Sequence, residues 1–254
     1  MLASIAFFAA VGFAAQMIDG AIGMAYGVAA TTLLLAYGTA PAIASASVHT
    51  AEVFTTAASG LAHWRLDNVE RRLLWRLAVP GVAGGIVGAC VLTAFPGENI
   101  RPFVAVYLLA AGGIVMARGL GQHRIDHTLG PAQTVLCGLT AGFLDAAGGG
   151  GWGLLVTSTL VWGGLTPRKA IGTACLAEFF VTLAVSLTFF VTIGQQIWPL
   201  MWQVILGLVI GGIIAAPIAA LAARHVPDRA MMILVGAIVM ALSAREILKG
   251  LGMV

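Results

Sequence analysis

Four acidic residues interrupt long apolar segments of this chain, at Asp19, Glu52, Asp145 and Glu178. A carboxylate at the centre of a bilayer costs several kcal/mol on insertion scales, so one that is retained is usually paired, protonated or exposed to a polar cavity. We therefore interpret the four acids as candidates for ion coupling or proton transfer. The alternative is a structural role, because an acid at a glycine-rich turn can cap a broken helix. This alternative suits Asp19 and Asp145 better than the two glutamates.

Polar residues recur around Glu52 at helical spacing. Ser45, His49, Glu52, Thr56 and Ser59 follow one another at steps of four, three, four and three residues, which places them on one face of a helix. Lipid cannot satisfy such a face, so we expect it to line the protein interior or a water-filled path. His49 is the best candidate for contacting an anion or handling a proton, because imidazole titrates near neutral pH. A helix–helix hydrogen bond is the alternative role for this histidine.

Two stretches, 22–27 and 148–153, are rich in glycine. Consecutive glycines are costly within a continuous helix, so we expect an unwound turn that opens a short helix. The backbone N–H groups and the positive dipole end of such a helix would bind an anion without a buried Lys or Arg. The alternative is that the glycines permit close helix packing. Tyr26 and Trp152 occupy matching positions in the two stretches and would either gate the turns or pack beside them.

These patterns define three sets of candidate site residues. The substrate-binding set is Gly23, Tyr26, Gly27, His49, Gly149, Gly150, Gly151 and Trp152. The coupling set is Asp19, Glu52, Asp145 and Glu178. The polar-path set is Ser45, Thr56 and Thr182. We expect no catalytic residue, no metal ligand and no cofactor.

An internal repeat relates the two halves of the chain. When the segment 12–61 is placed over 138–187, about a third of the positions match without a gap. A shared apolar composition would not align two aspartates and two glutamates, so the matches indicate a duplication. His49 falls opposite Cys175, so any role of the histidine belongs to one half. Further matched pairs are Gly12/Gly138, Gly23/Gly149, Gly27/Gly153, Thr31/Thr157, Gly38/Gly164, Pro41/Pro167 and Thr56/Thr182.

The elements that position these residues are expected to be membrane helices. Of the 254 residues, 60% are hydrophobic and 9% are charged, whereas a soluble domain is about a quarter charged. The apolar runs are continuous and do not alternate, which favours helices over barrel strands, and the length allows roughly eight to ten crossings. The predicted segments are 1–18, 20–36, 42–62, 73–95, 102–118, 131–145, 147–162, 169–193, 198–222 and 229–248. The short glycine-rich segments 20–36 and 147–162 are predicted to be half-helices or re-entrant hairpins.

Basic residues predict how the two halves are oriented. They follow the Glu52 helix, at 65–76, but precede the Glu178 helix, at 168–169. By the positive-inside rule the two helices run in opposite directions, which predicts inverted repeats of about five helical segments each. The predicted fold is an all-α polytopic membrane protein with broken helices at the midplane. We expect a first transmembrane repeat at 1–118, a cytoplasmic linker at 119–130 and a second transmembrane repeat at 131–254.

The chain resembles the TauE/SafE sulfite exporters, also called TSUP-type anion permeases, over its whole length. The resemblance rests on the stretches GAIGMAYG and AAGGGGWG, on SASVHTAEVFTTAASGLAHWR with its echo IGTACLAEFFVTLAVSLTF, and on the two-repeat layout. It implies transport of a small sulfur-containing anion such as sulfite, sulfoacetate or thiosulfate, or of another carboxylate, coupled to an ion gradient. It also implies that the substrate lies near Gly23 and Gly149. The first half departs from the all-glycine run of the second, which puts the symmetry of the site in question.

The sequence thus predicts a secondary anion transporter that works by alternating access in the cytoplasmic (inner) membrane. Its expected partners are the small-molecule anion and lipid, and not nucleic acid, because the basic residues are dispersed in short loops; a homodimer is left open. The leading alternative is a cation or metal transporter with the acids as ligands, although they form no ligand-dense motif. An intramembrane hydrolase using Ser45, Ser47 and His49 lacks a nucleophile motif. A structural or receptor subunit has no evident need to bury acids twice.

Overall fold

The computed structural model is all α-helical over the residues it describes, which are 2–22, 24–121, 130–222 and 228–253. Nine helices follow one another in this part of the chain. They are α1 (Leu2–Ile22), α2 (Tyr26–Ala36), α3 (Pro41–Arg65), α4 (Arg71–Ala94), α5 (Gly97–Leu120), α6 (Pro131–Gly148), α7 (Trp152–Trp162), α8 (Pro167–Ala222) and α9 (Asp228–Gly250). The predicted helical fold class is confirmed.

Several of these helices are suited to a bilayer by length and composition. Within the described ranges, three helices are long and apolar enough to cross a membrane, namely α4, α5 and the Pro167–Gly194 portion of α8. Shorter apolar stretches accompany them, including Met201–Ala216 in the second portion of α8. Large apolar side chains point outward, and Phe103 and Val191 are 75% and 83% exposed. An outer surface of this kind is satisfied by lipid, as expected of a polytopic membrane protein.

Two of the helices are half as long as a membrane crossing. The helices α2 and α7 have 11 residues each, so each spans about 16 Å, roughly half of the hydrocarbon core. They confirm the half-helices predicted for the two glycine-rich segments. Each begins several residues later than its apolar segment, because that segment also contains the end of the preceding helix and a turn.

The helix α8 differs from the sequence prediction, which placed two helices at 169–193 and 198–222 with a loop between them. The backbone is helical across 194–199. The only strong helix breaker in that stretch is Pro199, and a single proline removes one backbone hydrogen bond without forcing a loop. A straight helix of the 56 residues in α8 would be about 84 Å long, far more than a bilayer is thick.

Contacts with α3 show that α8 folds back. Leu176, in its first portion, lies against Gly60, and Gly212, in its second portion, lies against Thr55. Thr55 and Gly60 are about one and a half turns apart on α3, whereas 36 residues of straight helix would separate Leu176 and Gly212 by about 54 Å. The two apolar portions of α8 therefore pack against the same helix as two separate spans.

Helices of the first half pack on helices of the second half through glycines. A Cβ atom at Gly12 in α1 would lie 2.7 Å from the Cα atom of Leu208 in α8. A Cβ atom at Gly138 in α6 would lie 2.6 Å from the carbonyl oxygen of Leu77 in α4. Glycine lets helix backbones approach this closely, as it does in small-residue interfaces of membrane proteins. Because Gly12 and Gly138 are repeat-matched, the same kind of contact is made once by each half.

The last helices of the two halves, α5 and α9, pack in an antiparallel pair. Gly112 faces Val239, and Gly119, further along α5, faces Ile233, which comes earlier in α9. Such a pairing is expected if a two-fold axis in the membrane plane relates the halves. The inverted relation and the repeat boundaries 1–118 and 131–254 nevertheless stay predictions. Most of the predicted linker 119–130 falls on 122–129, outside the described residues.

Candidate functional site

Both short helices begin after a turn with positive φ angles. At Gly149, Gly150 and Gly151 the φ angles are +77°, +146° and +141°, which glycine adopts far more readily than other residues. The unwound turn predicted for this run is therefore present. In the matching first turn, Ala25 has a φ of +98° although it carries a Cβ atom, a strained conformation. Gly23, the predicted binding residue of that turn, lies outside the described residues.

The repeat-matched aspartates cap the short helices that follow them. The Oδ1 atom of Asp145 accepts a hydrogen bond of 2.9 Å from the backbone N–H of Trp152. The Oδ1 atom of Asp19 accepts one of 3.4 Å from the backbone N–H of Tyr26. In both cases the carboxylate reaches across the turn to the first N–H group of the helix, at the positive end of its dipole. The capping role that the sequence left open is supported for both aspartates.

Asp145 satisfies only one of the N–H groups at the start of α7. The first four N–H groups of a helix have no acceptor within the helix. After that of Trp152, the N–H groups of Gly153 and Leu154 have no hydrogen-bond acceptor among the residues that the structure describes. Together with the helix dipole, these N–H groups can bind an anion.

The two glycine turns lie against each other. A Cβ atom at Gly27 would lie 2.7 Å from the Cα atom of Gly150. The hydroxyl of Thr31 donates to the carbonyl oxygen of Gly149, and the hydroxyl of Tyr107 donates to that of Gly150 at 2.6 Å. The second turn is thus held over the start of α2. Close packing, the alternative role considered for the glycines, applies here in addition to the unwound turn.

His49 pairs with Asp145 across the two halves. The His49 Nε2 atom is 3.0 Å from the Asp145 Oδ2 atom, and the side chains are 0% and 1% exposed. The His49 Nδ1 atom lies 2.8 Å from the backbone oxygen of Ser45, which can only accept, so Nδ1 carries a proton. One further proton then lies between Nε2 and Oδ2. The pair is either imidazolium with carboxylate or imidazole with carboxylic acid, and it is neutral overall in both cases.

Glu52 is incompletely hydrogen-bonded within the described part of the chain. The residue is buried, with 3% of its surface exposed. Its Oε1 atom lies 3.0 Å from the position that a Cβ atom would take at Gly27. Its Oε2 atom has no hydrogen-bond partner in the described part of the chain. Buried polar atoms are rarely left without a partner, because desolvation then goes uncompensated.

The structure brings the four predicted acids into one cluster. Glu52 interacts electrostatically with Asp145, Glu178 and Asp19, and Glu178 interacts with both aspartates. Like charges repel strongly in a site of low dielectric constant. Within the described ranges, no group of three or more His, Cys, Asp or Glu side chains is arranged to hold a metal ion.

The polar-path residues are buried and bond to helix carbonyl groups. The hydroxyl of Thr56 donates to the backbone oxygen of Glu52 at 2.5 Å, and that of Thr182 donates to a carbonyl of its own helix at 3.2 Å. The hydroxyl of Ser45 donates to the backbone oxygen of Ala146 at 2.8 Å. Ser45 thus links α3 to α6 beside the His49 pair, and a polar path through these residues stays a prediction.

Tyr26 and Trp152 are buried beside the turns. The indole N–H of Trp152 donates to the backbone oxygen of Ala174 at 3.0 Å, and a Cβ atom at Gly81 would lie 2.6 Å from its ring. The hydroxyl of Tyr26 donates to the backbone oxygen of Leu208 at 3.5 Å. In this conformation both rings pack beside the turns, which is the second of the two roles considered for them.

Three contacts of the site come from residues that the sequence patterns did not select. Thr31 was visible only as one of the repeat-matched positions, and Tyr107 stands alone in α5 with no pattern around it. Arg118 is the last residue of the predicted first repeat and belongs to none of the three candidate sets. Its Nη1 atom donates to the backbone oxygen of Leu154 at 2.9 Å and lies 3.7 Å from the sulfur of Met24. The repeat could thus have identified Thr31 as a site residue, whereas no sequence pattern points to Tyr107.

Two broken helices that meet at their starts, with buried acids beside them and an apolar outer surface, are typical of a secondary membrane transporter. In secondary transporters, half-helices of this kind supply backbone groups for a substrate, and acids in such a position serve ion coupling. The fold and the site therefore define a class of multi-pass membrane transporters.

Comparisons with known proteins give the family. The family model described as sulfite exporter TauE/SafE matches residues 8–245. The probable membrane transporter protein YtnM of Bacillus subtilis (strain 168) is 41% identical over 247 residues, which cover 95% of this chain and 82% of that protein. No solved structure matches the chain. The chain belongs to the sulfite exporter TauE/SafE family, and it is a membrane transporter and not an enzyme.

Proposed function

We propose that this protein transports a small sulfur-containing anion, such as sulfite, thiosulfate, sulfoacetate or a related organosulfonate, by alternating access coupled to an ion gradient. The observation that carries the proposal is the position of Glu52, a buried acid at the contact of the two glycine turns with an oxygen that has no partner among the described residues. The description of the family as sulfite exporters supports the class of substrate.

The proposed anion contacts are the N–H groups at the start of α7 that have no acceptor among the described residues. The N–H groups of Gly153 and Leu154 and the positive end of the helix dipole attract an anion without a buried basic side chain. The contact of Gly27 with Gly150 leaves no space between the two turns. Separation of the turns is therefore the conformational step that we assign to alternating access.

Glu52 would couple the anion to a proton. An ionised Glu52 repels an anion at the glycine turns, whereas a protonated Glu52 is neutral and can donate a hydrogen bond. The anion then binds more tightly to the protonated protein, and by linkage the bound anion favours protonation of Glu52. In this scheme the proton and the anion cross the membrane in the same direction.

The coupling role is assigned to the glutamates and not to the aspartates. Asp19 and Asp145 are engaged in capping, and Asp145 is also neutralised by His49. Glu178 is half-buried and close to the other acids, so it is the second candidate after Glu52. Location in the cytoplasmic (inner) membrane and a homodimer remain predictions.

The test is flux in proteoliposomes that contain the full chain, with sulfite, thiosulfate, sulfoacetate and simple carboxylates as substrates. Glu52→Gln mimics the protonated acid permanently, so the variant should exchange anion across the membrane at a rate within about threefold of wild type. It should lose at least about tenfold of the accumulation that a pH gradient drives, because proton and anion binding are no longer linked.

Glu98→Gln is the matched control, because Glu98 is an exposed acid at the start of α5. This variant should keep both activities. Full gradient-driven accumulation by Glu52→Gln would show that Glu52 does not couple the proton.

A cation transporter is the second candidate, because the four neighbouring acids favour a cation over an anion, although no three of them within the described ranges are arranged to hold a metal ion. Flux measured in the same proteoliposomes, with divalent cations in place of the anions, distinguishes cation transport from anion transport. Saturable cation flux with all anions inert would overturn anion transport, and the acids would then be cation ligands.

A further inference from the structure

We propose that Arg118 forms an anion-binding vestibule that leads from the predicted cytoplasmic side to the first glycine turn. The inference rests on the proposed anion transport and adds to it a second, peripheral binding site. The ligand class is a small oxoanion that reaches the transport site through this cavity.

The vestibule is a cavity of about 500 Å³ between α5, α7 and α9. It extends from Gly121, just after α5, to Met24 in the first glycine turn. Ser158 and Trp162 contribute a hydroxyl and an aromatic ring from α7. Since one water occupies about 30 Å³ in the liquid, the space holds a small oxoanion with several water molecules.

Arg118 contributes the positive charge of this cavity. Its guanidinium has five donors, and within the described residues one of them is bonded to a protein oxygen, that of Leu154. The group also lies 5.5 Å from the centre of the Trp162 ring. No carboxylate lies within ion-pair distance of Arg118 in the described part of the chain. A half-buried guanidinium with free donors and no acid nearby is a binding group for an oxoanion.

The other arginine of α5 provides a contrast. Arg101 has an acid partner, with its Nη2 atom 3.0 Å from Glu246 Oε2, and it donates to the backbone oxygen of Leu35 at 2.7 Å. The space beside it, lined by Thr32 and Ser243 among others, has no room for a water molecule. Thr32 is repeat-matched to Ser158, so the corresponding region is filled in one half and open in the other. Arg118, which has no acid partner among the described residues, is the arginine that faces the open cavity.

The position of Leu154 connects the vestibule to the proposed transport site. Arg118 binds the carbonyl oxygen of Leu154, and the N–H group of the same residue is one of the unpaired donors at the start of α7. The carbonyl and N–H groups of one helical residue lie within a single turn, about 5.4 Å. An anion at Arg118 is therefore a short step from the N–H groups of Gly153 and Leu154.

A binding experiment tests the site without any need for transport. The purified full chain is treated with phenylglyoxal, which modifies arginine, with and without sulfate or methanesulfonate, and the modified residues are quantified by mass spectrometry. The anions should slow modification of Arg118 at least about threefold, because a bound oxoanion covers the guanidinium. Arg72 is exposed and serves as the internal control, whose rate should not change. Equal rates for Arg118 with and without anion would overturn the vestibule.

Transport then tests the role of the site. Arg118→Gln should raise KM for the anion about tenfold at low ionic strength, with a maximal rate within about twofold of wild type, since a charge-assisted contact is lost. Arg118→Lys keeps the charge and should stay within about threefold, and Arg72→Gln should match wild type.

The outcomes separate the two proposals. An unchanged KM in Arg118→Gln, with wild-type anion flux intact, would overturn the vestibule and leave the proposed function standing. Absence of anion flux in wild type would overturn the proposed function, and the protection experiment would then decide the vestibule alone. If Arg118→Gln does not purify as a single species, the salt dependence of KM in wild type and Arg118→Lys replaces it, and a KM independent of salt overturns the vestibule.

Discussion

At the residue scale, the buried acids differ in what completes their hydrogen bonds. Asp145 has the backbone N–H of Trp152 on one oxygen and His49 on the other, so its charge is balanced by the protein. Glu52 has an oxygen with no partner in the described part of the chain. A balanced acid serves structure, whereas an acid whose partner is missing can take up a proton or meet a substrate.

The His49 pair leads to a stability prediction. His49→Ala leaves Asp145 buried without its partner and should lower the free energy of unfolding by about 3 kcal/mol. Asp145→Asn should cost less than about 1.5 kcal/mol, because its amide oxygen still accepts from Trp152 and its NH₂ group can donate to His49. Thermal unfolding of the purified variants followed by tryptophan fluorescence measures both.

Cys175→Ala is the control for this pair, since Cys175 is the repeat-matched position of His49 and is likewise buried. It should change stability by no more than about 1 kcal/mol. A His49→Ala protein as stable as Cys175→Ala would contradict the structural role of the pair.

At the scale of elements, the glycine turns combine two requirements. Gly150 needs a positive φ angle and lies against the backbone of Gly27. The first requirement, the positive φ angle, is local, so a run of glycines in the sequence predicts it. The second requirement, close contact with Gly27, arises only when α2 and α7 come together. Both the turn and the contact between the halves therefore need glycine at this position.

Gly150→Ala tests this double requirement. A Cβ atom there would enter the backbone of Gly27 and strain the φ angle, so the variant should lose more than about 2 kcal/mol of stability and most of its transport. Gly113→Ala is the control within α5, where the Cβ atom would meet only the Met240 sulfur at 4.0 Å. That change should be neutral or stabilise by up to about 1 kcal/mol. Full stability and flux in Gly150→Ala would show that the turns do not pack as described.

At the scale of the whole molecule, the two halves are interleaved. The helix α1 packs on the second portion of α8, α4 packs on α6, and α5 packs on α9. Neither half therefore buries its helices by itself, and transport by alternating access must change contacts between the halves.

The contact between α3 and the first portion of α8 also joins the two halves, and a cross-link between these helices tests whether the contact changes during transport. A Cβ atom at Gly60 would lie 3.4 Å from the Cβ atom of Leu176, close to disulfide geometry. With the three native cysteines replaced by alanine, a Gly60→Cys/Leu176→Cys protein should lose transport on oxidation and regain it on reduction. The two single-cysteine variants should be unaffected by oxidant. Undiminished flux in fully cross-linked protein would place the conformational change elsewhere.

Much of the fold follows from local features of the sequence. Continuous apolar runs require helices in lipid, consecutive glycines require a break, and duplication marks Asp19 with Asp145 and Glu52 with Glu178. The two spans predicted at 169–193 and 198–222 pack separately on α3, and only the loop expected between them is absent, because the backbone is helical across 194–199. Periodicity also selected Thr56 and Thr182 for a path, although a hydroxyl on a helix can bond equally well to its own backbone.

The sequence by itself determined the class of protein, since composition, periodicity and spacing depend on neighbours along the chain. The tertiary structure decided which of the marked residues meet. The pairing of His49 with Asp145 joins residues 96 positions apart, and the contact of Gly27 with Gly150 joins the two halves. Arg118 became distinct from the other basic residues only when the cavity and the absence of an acid beside it within the described residues were known. Contacts of this kind depend on how the helices pack, so the distances between residues far apart in the chain cannot be read from sequence patterns.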